Sequence, residues 1–343
     1  MTSATAQPHG VGLRFAAAVA GLVVLALIAF CVGRFPVSIP DVFRAITNGV
    51  FGTTSDLPAT VKTVILQVRA PRVIAAMLVG AALAAAGSAY QSMFRNPLVS
   101  PDILGVSSGA ALGAVLGIFL SKNVLMIQLF AFVGGLAAVG AVYVVGSALR
   151  GHDATLTLIL SGVVIGTLLG SFIALLKYLA DPYNQLPAIT FWLLGSLAAI
   201  APSDLAIATP LVLAGLVPLY LLRWRINLLS LADDEARALG INVGRLRVVV
   251  IVAATLVTAA AVAISGIIGW IGLLVPHMAR MLVGPQFARL LPMSVLIGAA
   301  YLLSVDTLAR TMAQIEVPPG VLTAIIGTPF FVWLLATAKR GWK

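Results

Sequence analysis

VIAAMLVGAALAAAGSAYQ, residues 73–91, runs nineteen positions without a charged side chain. A helix needs about 20 predominantly apolar residues to cross a bilayer. Runs at 15–33, 124–148, 205–222, 248–276 and 320–338 approach or exceed that length. The 343 residues are 61% hydrophobic and only 9% charged, against roughly a quarter charged in a soluble domain. These runs dictate an all-α polytopic membrane protein. The first, 15–33, is long for a secretory signal core, and Gly33-Arg34-Phe35-Pro36 lacks the small residues of a cleavage site. It reads as a retained first span.

Arg69-Ala70-Pro71-Arg72 opens the 73–91 span and Phe94-Arg95-Asn96-Pro97 closes it. Upstream, residues 1–12 read as a short tail. Residues 34–68 read as a polar loop holding Asp41, Arg44, Asp56 and Lys62, with Ile39–Val50 suited to a surface helix. Downstream, Ser100-Pro101-Asp102 offers an N-cap, a proline at the first position and a carboxylate favourable to the helix dipole. Glycines four apart (Gly109, Gly113, Gly117, then Gly162, Gly166, Gly170) line one helix face and let backbones approach closely in lipid. They read as packing residues. Asp181–Pro187 breaks the chain before a short apolar piece, 188–200. The predicted spans are 13–33, 70–93, 102–120, 124–148, 155–178, 204–222, 246–265, 267–283, 289–310 and 320–338, ten crossings in a single transmembrane domain over 1–343.

The formal charge of +10 is spread through the loops, which argues for membrane topology rather than nucleic-acid binding. With both termini cytoplasmic, thirteen Lys and Arg fall inside and eight outside, and the tight clusters at 223–247 and 339–343 are both inside. A weak internal echo links 72–81 to 247–256 with opposite direction through the membrane, as in an inverted repeat. Cys31 sits in an apolar run and reads as a packing residue, and His9, His152 and His277 are too scattered for a metal cluster.

Catalytic constellations and a G-x-x-x-x-G-K-[ST] phosphate loop are both missing, so the chain reads as neither an enzyme nor a nucleotide binder. His277 reads as structural. Lys177, Asp306 and Arg310 fall near span ends, and no carboxylate is placed mid-span to bind a driving ion. The energy source is therefore expected in another subunit. The segment 227–247 suits its reception, because Asp233–Leu239 reads as a short polar helix ended by Gly240.

These stretches also resemble a known family. Arg69-Ala70-Pro71-Arg72, Gly80–Ala84, Asn96-Pro97-Leu98, Pro101–Ala110, Phe191–Leu197, Ala236–Gly240, Gly269–His277 and Pro319-Gly320-Val321 resemble, in order and spacing from about 35 to 338, the FecCD family of ABC importer permeases for ferric siderophores, haem and vitamin B12. The resemblance implies a type II importer fold with a pseudo-two-fold inverted repeat, in the bacterial inner membrane. It implies a homodimer, two copies of a cytoplasmic ABC ATPase carrying ATP and magnesium, and a periplasmic or lipid-anchored solute-binding protein. No cofactor or metal is expected on this chain. A cytoplasmic coupling segment is implied at 227–245, with Asp233, Asp234, Glu235, Arg237, Leu239 and Gly240 facing the ATPase. Arg69, Arg72 and Arg310 are implied as rim charges for binding-protein docking. Thr155, Leu156 and Thr157 align with the cytoplasmic gate, with Leu156 in place of a small polar residue. The expected cargo is an iron complex, a ferric siderophore or haem. Cobalamin and molybdate or tungstate are the alternatives within the class, and an ion-coupled secondary transporter is the alternative outside it.

Overall fold

Lipid offers no hydrogen-bond partner, so each spanning segment must satisfy its own backbone, and a helix does so. The computed structural model describes residues 8–33, 35–51, 57–148 and 154–338, and among these every regular element is helical. In chain order they are α1 (Pro8–Cys31), α2 (Ile39–Phe51), α3 (Ala59–Thr63), α4 (Ala70–Met93), α5 (Val106–Phe119), α6 (Val124–Ala148), α7 (Ala154–Leu179), α8 (Gln185–Leu193), α9 (Pro202–Leu221), α10 (Arg223–Asn227), α11 (Asp233–Ala238), α12 (Val243–Ser265), α13 (Ile271–Val283), α14 (Phe287–Ala309) and α15 (Pro319–Ala338). Arg34, Asp56, the Arg150–Asp153 loop with His152, and 339–343 lie outside the described residues, as does the side chain of His9.

Seven helical stretches among the described residues are long and apolar enough to cross a membrane, and α5, α13 and the 319–333 part of α15 are shorter apolar helices. Helices α4 and α12 are buried along most of their length, whereas α1 and α7 present most of their surface outward. The centre therefore has the small-residue composition that close helix packing in lipid requires. In α4, Ala75, Ala76, Ala82 and Ala84–Ala86 are all fully buried. A Cβ at Gly80 would run into the Gly298 carbonyl of α14, and one at Gly87 into the Gly272 carbonyl of α13.

The two buried helices head two halves of opposite direction. The series α4, α5, α6, α7 has 24, 14, 25 and 26 residues, and α12, α13, α14, α15 has 23, 13, 23 and 20. Packing is reciprocal: α4 lies against α13 and α14, as α12 lies against α5 and α6. This is the pseudo-two-fold inverted repeat, and the echo between 72–81 and 247–256 falls on its leading helices.

The backbone departs from the expected boundaries in identifiable places. Helix α1 begins at Pro8, inside the stretch expected as a tail. Helix α3 runs through a wider π turn, Val64–Arg69, straight into α4. The stretch expected as one helix from 102 is divided. Pro101–Leu104 makes a single 3-10 turn, Gly105 turns left-handed (φ 76°), and α5 starts at Val106. Ser100 makes no side-chain cap bond, and Asp102 instead accepts from the Ser107 hydroxyl. In the second half Gly266 (φ 67°) and Trp270 (φ 71°) are both left-handed, so α13 starts at Ile271 rather than 267. A non-glycine residue rarely takes that conformation. The Trp270 indole is held there against Gly327 and edge-on to Phe331 of α15. At 1.5 Å per residue α5 is only about 21 Å long, short of the ~30 Å hydrocarbon core.

Candidate functional site

Side-chain chemistry gathers at the two ends of the bundle. At one end, called the insert end, α9 gives way to α10, a 3-10 turn at Leu228–Ser230, and α11. Three acids, Asp233, Asp234 and Glu235, fill the first turn of α11, where the helix dipole favours them. Gly240 ends the element at φ 81°, with its N–H donating to the Arg237 carbonyl at 2.9 Å. Asn242 then caps α12 by accepting from the Arg245 N–H at 3.0 Å. One Asp233 carboxylate oxygen accepts from Arg95 at the end of α4 and from Arg247 in α12, each at 2.9 Å. Ala236 is buried in a cluster with Ile226, Leu229 and Leu246. Asp234, Glu235, Arg237, Leu239 and Gly240 stay exposed. Residues 227–242 are thus fixed to the two central helices on one side and open on the other.

At the opposite end, called the arginine end, Arg72 binds two carboxylates at once. Its Nε donates to both Asp306 oxygens at 3.0 Å, and its Nη1 and Nη2 donate to Glu316 at 3.1 and 2.9 Å. Asp306 is fully buried and the Glu316 side chain is 37% exposed. Arg69 donates to the carbonyls of Phe30, Cys31 and Phe35, and Arg310 to that of Ala29. These two guanidinium groups therefore cap the carbonyl end of α1. One expectation changes. Arg69, Arg72 and Arg310 are 5%, 9% and 8% exposed, so they are internal ties and not free rim charges. Asp306 does lie near the end of its span, in the last turn of α14, but it is buried and a permanent cation, Arg72, already neutralises it.

The remaining expected sites differ in outcome. Leu156 is exposed and Thr157 buried at the start of α7, and the side chain of Thr155 is outside the described residues. Gly109 and Gly113 abut the Gly134 and Phe130 carbonyls of α6, and Gly117 faces Ile127. In the second triple only Gly162 is pressed, against the Ile103 carbonyl; Gly166 has room, and Gly170 meets nothing within 4 Å. Packing within the chain does not explain those two. Glu316 and the Gln91–Arg280 pair (3.0 Å) had no signal in the sequence, because their partners are 244 and 189 positions away. On the arginine-end side of α8 and α9, Gln128 donates to Asp204 at 3.0 Å beside a cavity of about 560 Å³ that also meets Trp192 and Ser265. Beyond the spans, bonds from Asn184 hold the Asp181 carboxyl below the usual range in the turn before α8.

An all-helical bundle of inverted halves, with one end carrying a braced polar insert, is the fold of a membrane permease, and likeness to solved and curated relatives puts it in the type II ABC importer class. The chain belongs to the FecCD transport family, whose model matches residues 21–337. It is 39% identical over 321 residues to the molybdate import system permease protein MolB of Haemophilus influenzae, covering 93% of this chain and 94% of that one. It is 43% identical over 277 residues to an iron chelatin transport system permease protein of Helicobacter pylori, covering 81% and 83%. A solved inward-facing structure of a metal-chelate type ABC transporter superposes with a TM-score of 0.86 at 37% identity, covering 95% of this chain and 99% of that one.

Proposed function

We propose that the chain acts as a single permease domain that imports an iron complex, a ferric siderophore or haem, by alternating access, and that a separate ATPase drives it. The braced insert carries this reading: Asp233 ties it to α4 and α12, the leading helices of both halves. Force on the exposed face of 227–242 would reach both repeats together. Asp233, Asp234, Glu235, Arg237, Leu239 and Gly240 are the proposed ATPase contacts, and Thr155–Thr157 the proposed gate. The insert end carries Arg223, Arg225, Arg237, Arg245 and Arg247, which supports a cytoplasmic placement in the inner membrane. The outward surface of α7 supports a homodimer with a path between subunits.

At the arginine end a binding protein would dock where Arg72 holds two carboxylates, with Arg69 and Arg310 tied to backbone carbonyls beneath. Docking acidic groups would compete with Glu316, the exposed member, for Arg72. Iron-chelate cargo is supported by the Helicobacter relative and the metal-chelate structure. The long match to a molybdate permease favours a second reading, an oxyanion cargo. Uptake by the reconstituted importer separates them: labelled ferric siderophore or haem accumulating with ATP supports the first, and molybdate alone accumulating overturns it.

A further inference from the structure

A cavity of about 350 Å³ opens at the insert end, where the end of α4, α10 and the α13–α14 junction meet. Arg95, Arg280, Gln91, Asn96 and Asn227 line it, and no carboxylate does. The amides are polarised one way. Asn96 Oδ1 accepts from the Leu98 N–H at 2.9 Å, Asn227 Oδ1 from the Phe287 N–H at 3.1 Å, and Gln91 Oε1 from Arg280 at 3.0 Å. Their acceptor atoms are thus engaged, and the Asn96 and Asn227 amino groups have no partner among the described residues. Arg280 has no ion-pair partner there either, and its guanidinium is held in place by Gln91, which is anchored on the Gly272 and Leu273 carbonyls. Two guanidinium groups and two free amide donors, with the hydroxyl-bearing Ser92 and Ser230, surround a water-accessible space, and this donor-rich lining suits an anion with several acceptor oxygens.

We propose that this cavity binds a small oxyanion, with inorganic phosphate as its simplest representative, in competition with Asp233 for Arg95. Arg95 is the shared element, because it lines the cavity and donates to Asp233 of the insert. An oxyanion that draws Arg95 inward leaves Asp233 on Arg247 alone and loosens one of the two ties of α11. Binding and insert fixation are therefore linked, and the linkage is reciprocal. The cytoplasmic anion pool would in this way set how firmly the insert is held.

The test is calorimetric titration of inorganic phosphate into the full chain in neutral-lipid nanodiscs, with chloride as the control. Wild type should bind phosphate saturably and chloride not. Asn227→Asp keeps the oxygen that caps Phe287 but puts a carboxylate in the cavity, and should abolish binding with the fold intact. Asp233→Asn releases Arg95 and should tighten binding by roughly 3- to 10-fold, the scale of one ordinary hydrogen bond. Absence of saturable binding, undiminished binding by Asn227→Asp, or an unchanged affinity in Asp233→Asn each overturns the proposal. Loss of binding once the ATPase is added also overturns it, by showing that the cavity seats a partner's side chain.

Discussion

Replacing Asp306 by Asn tests whether the arginine end is held by its internal ion pairs. The change keeps the shape of a fully buried side chain and removes its charge. In the native chain Arg72 Nε reaches both Asp306 oxygens at 3.0 Å, and Nη2 lies 2.9 Å from Oδ1. Asn offers one acceptor where there were two, and its amino group faces guanidinium donors. Among the described residues Glu316 remains as the counter-charge of Arg72, and it is partly solvated. Breaking one side of a buried pair costs about 3–5 kcal/mol. With Glu316 still in place, the lower end, about 3 kcal/mol, applies here. Equilibrium unfolding in mixed micelles, followed by tryptophan fluorescence, measures it. The double variant Arg72→Met with Asp306→Leu should lose less than the two single variants combined, because it removes both members of the buried pair and leaves only the partly solvated Glu316 without its partner. A loss under ~0.5 kcal/mol for Asp306→Asn, or strict additivity in the double variant, would refute the reasoning.

The packing of the central helices gives a paired prediction. Gly298→Val drives a branched side chain into the Gly80 carbonyl and should prevent stable insertion, whereas Gly170→Ala faces open space and should change stability by less than about 0.5 kcal/mol; folded yield after detergent extraction reads both. Glu316→Gln frees Arg72 for a docking partner's acid and should tighten binding-protein affinity, most visibly at low salt, in a surface-immobilisation assay. An affinity unchanged at every salt concentration removes Glu316 from the docking account.

The membrane class was legible because runs such as 73–91 are as long as a bilayer is thick, a constraint that acts along the chain. The inverted repeat left only a faint trace, since any two alanine- and valine-rich helices look alike. Local backbone chemistry was partly legible. Gly240 ends α11 as its position suggested, but Gly105 and Trp270 were not recognised as the breaks that shorten α5 and α13. The arginines were found and their partners missed. Arg72 meets residues 234 and 244 positions away, so its burial follows from how α4 and α14 cross, which no local pattern encodes. The glycine triples show the same limit: identical spacing gives a tight seam at 109–117 and open surface at 170, according to what lies opposite.

The central claim is that external energy enters through residues 227–242. Gly240→Pro challenges it directly, because proline cannot take φ 81° and lacks the N–H that bonds Arg237. In proteoliposomes holding the complete importer, the account predicts that ATP-driven uptake falls to background while the spans stay folded and the ATPase still hydrolyses ATP. Uptake at the wild-type rate in that variant would contradict it.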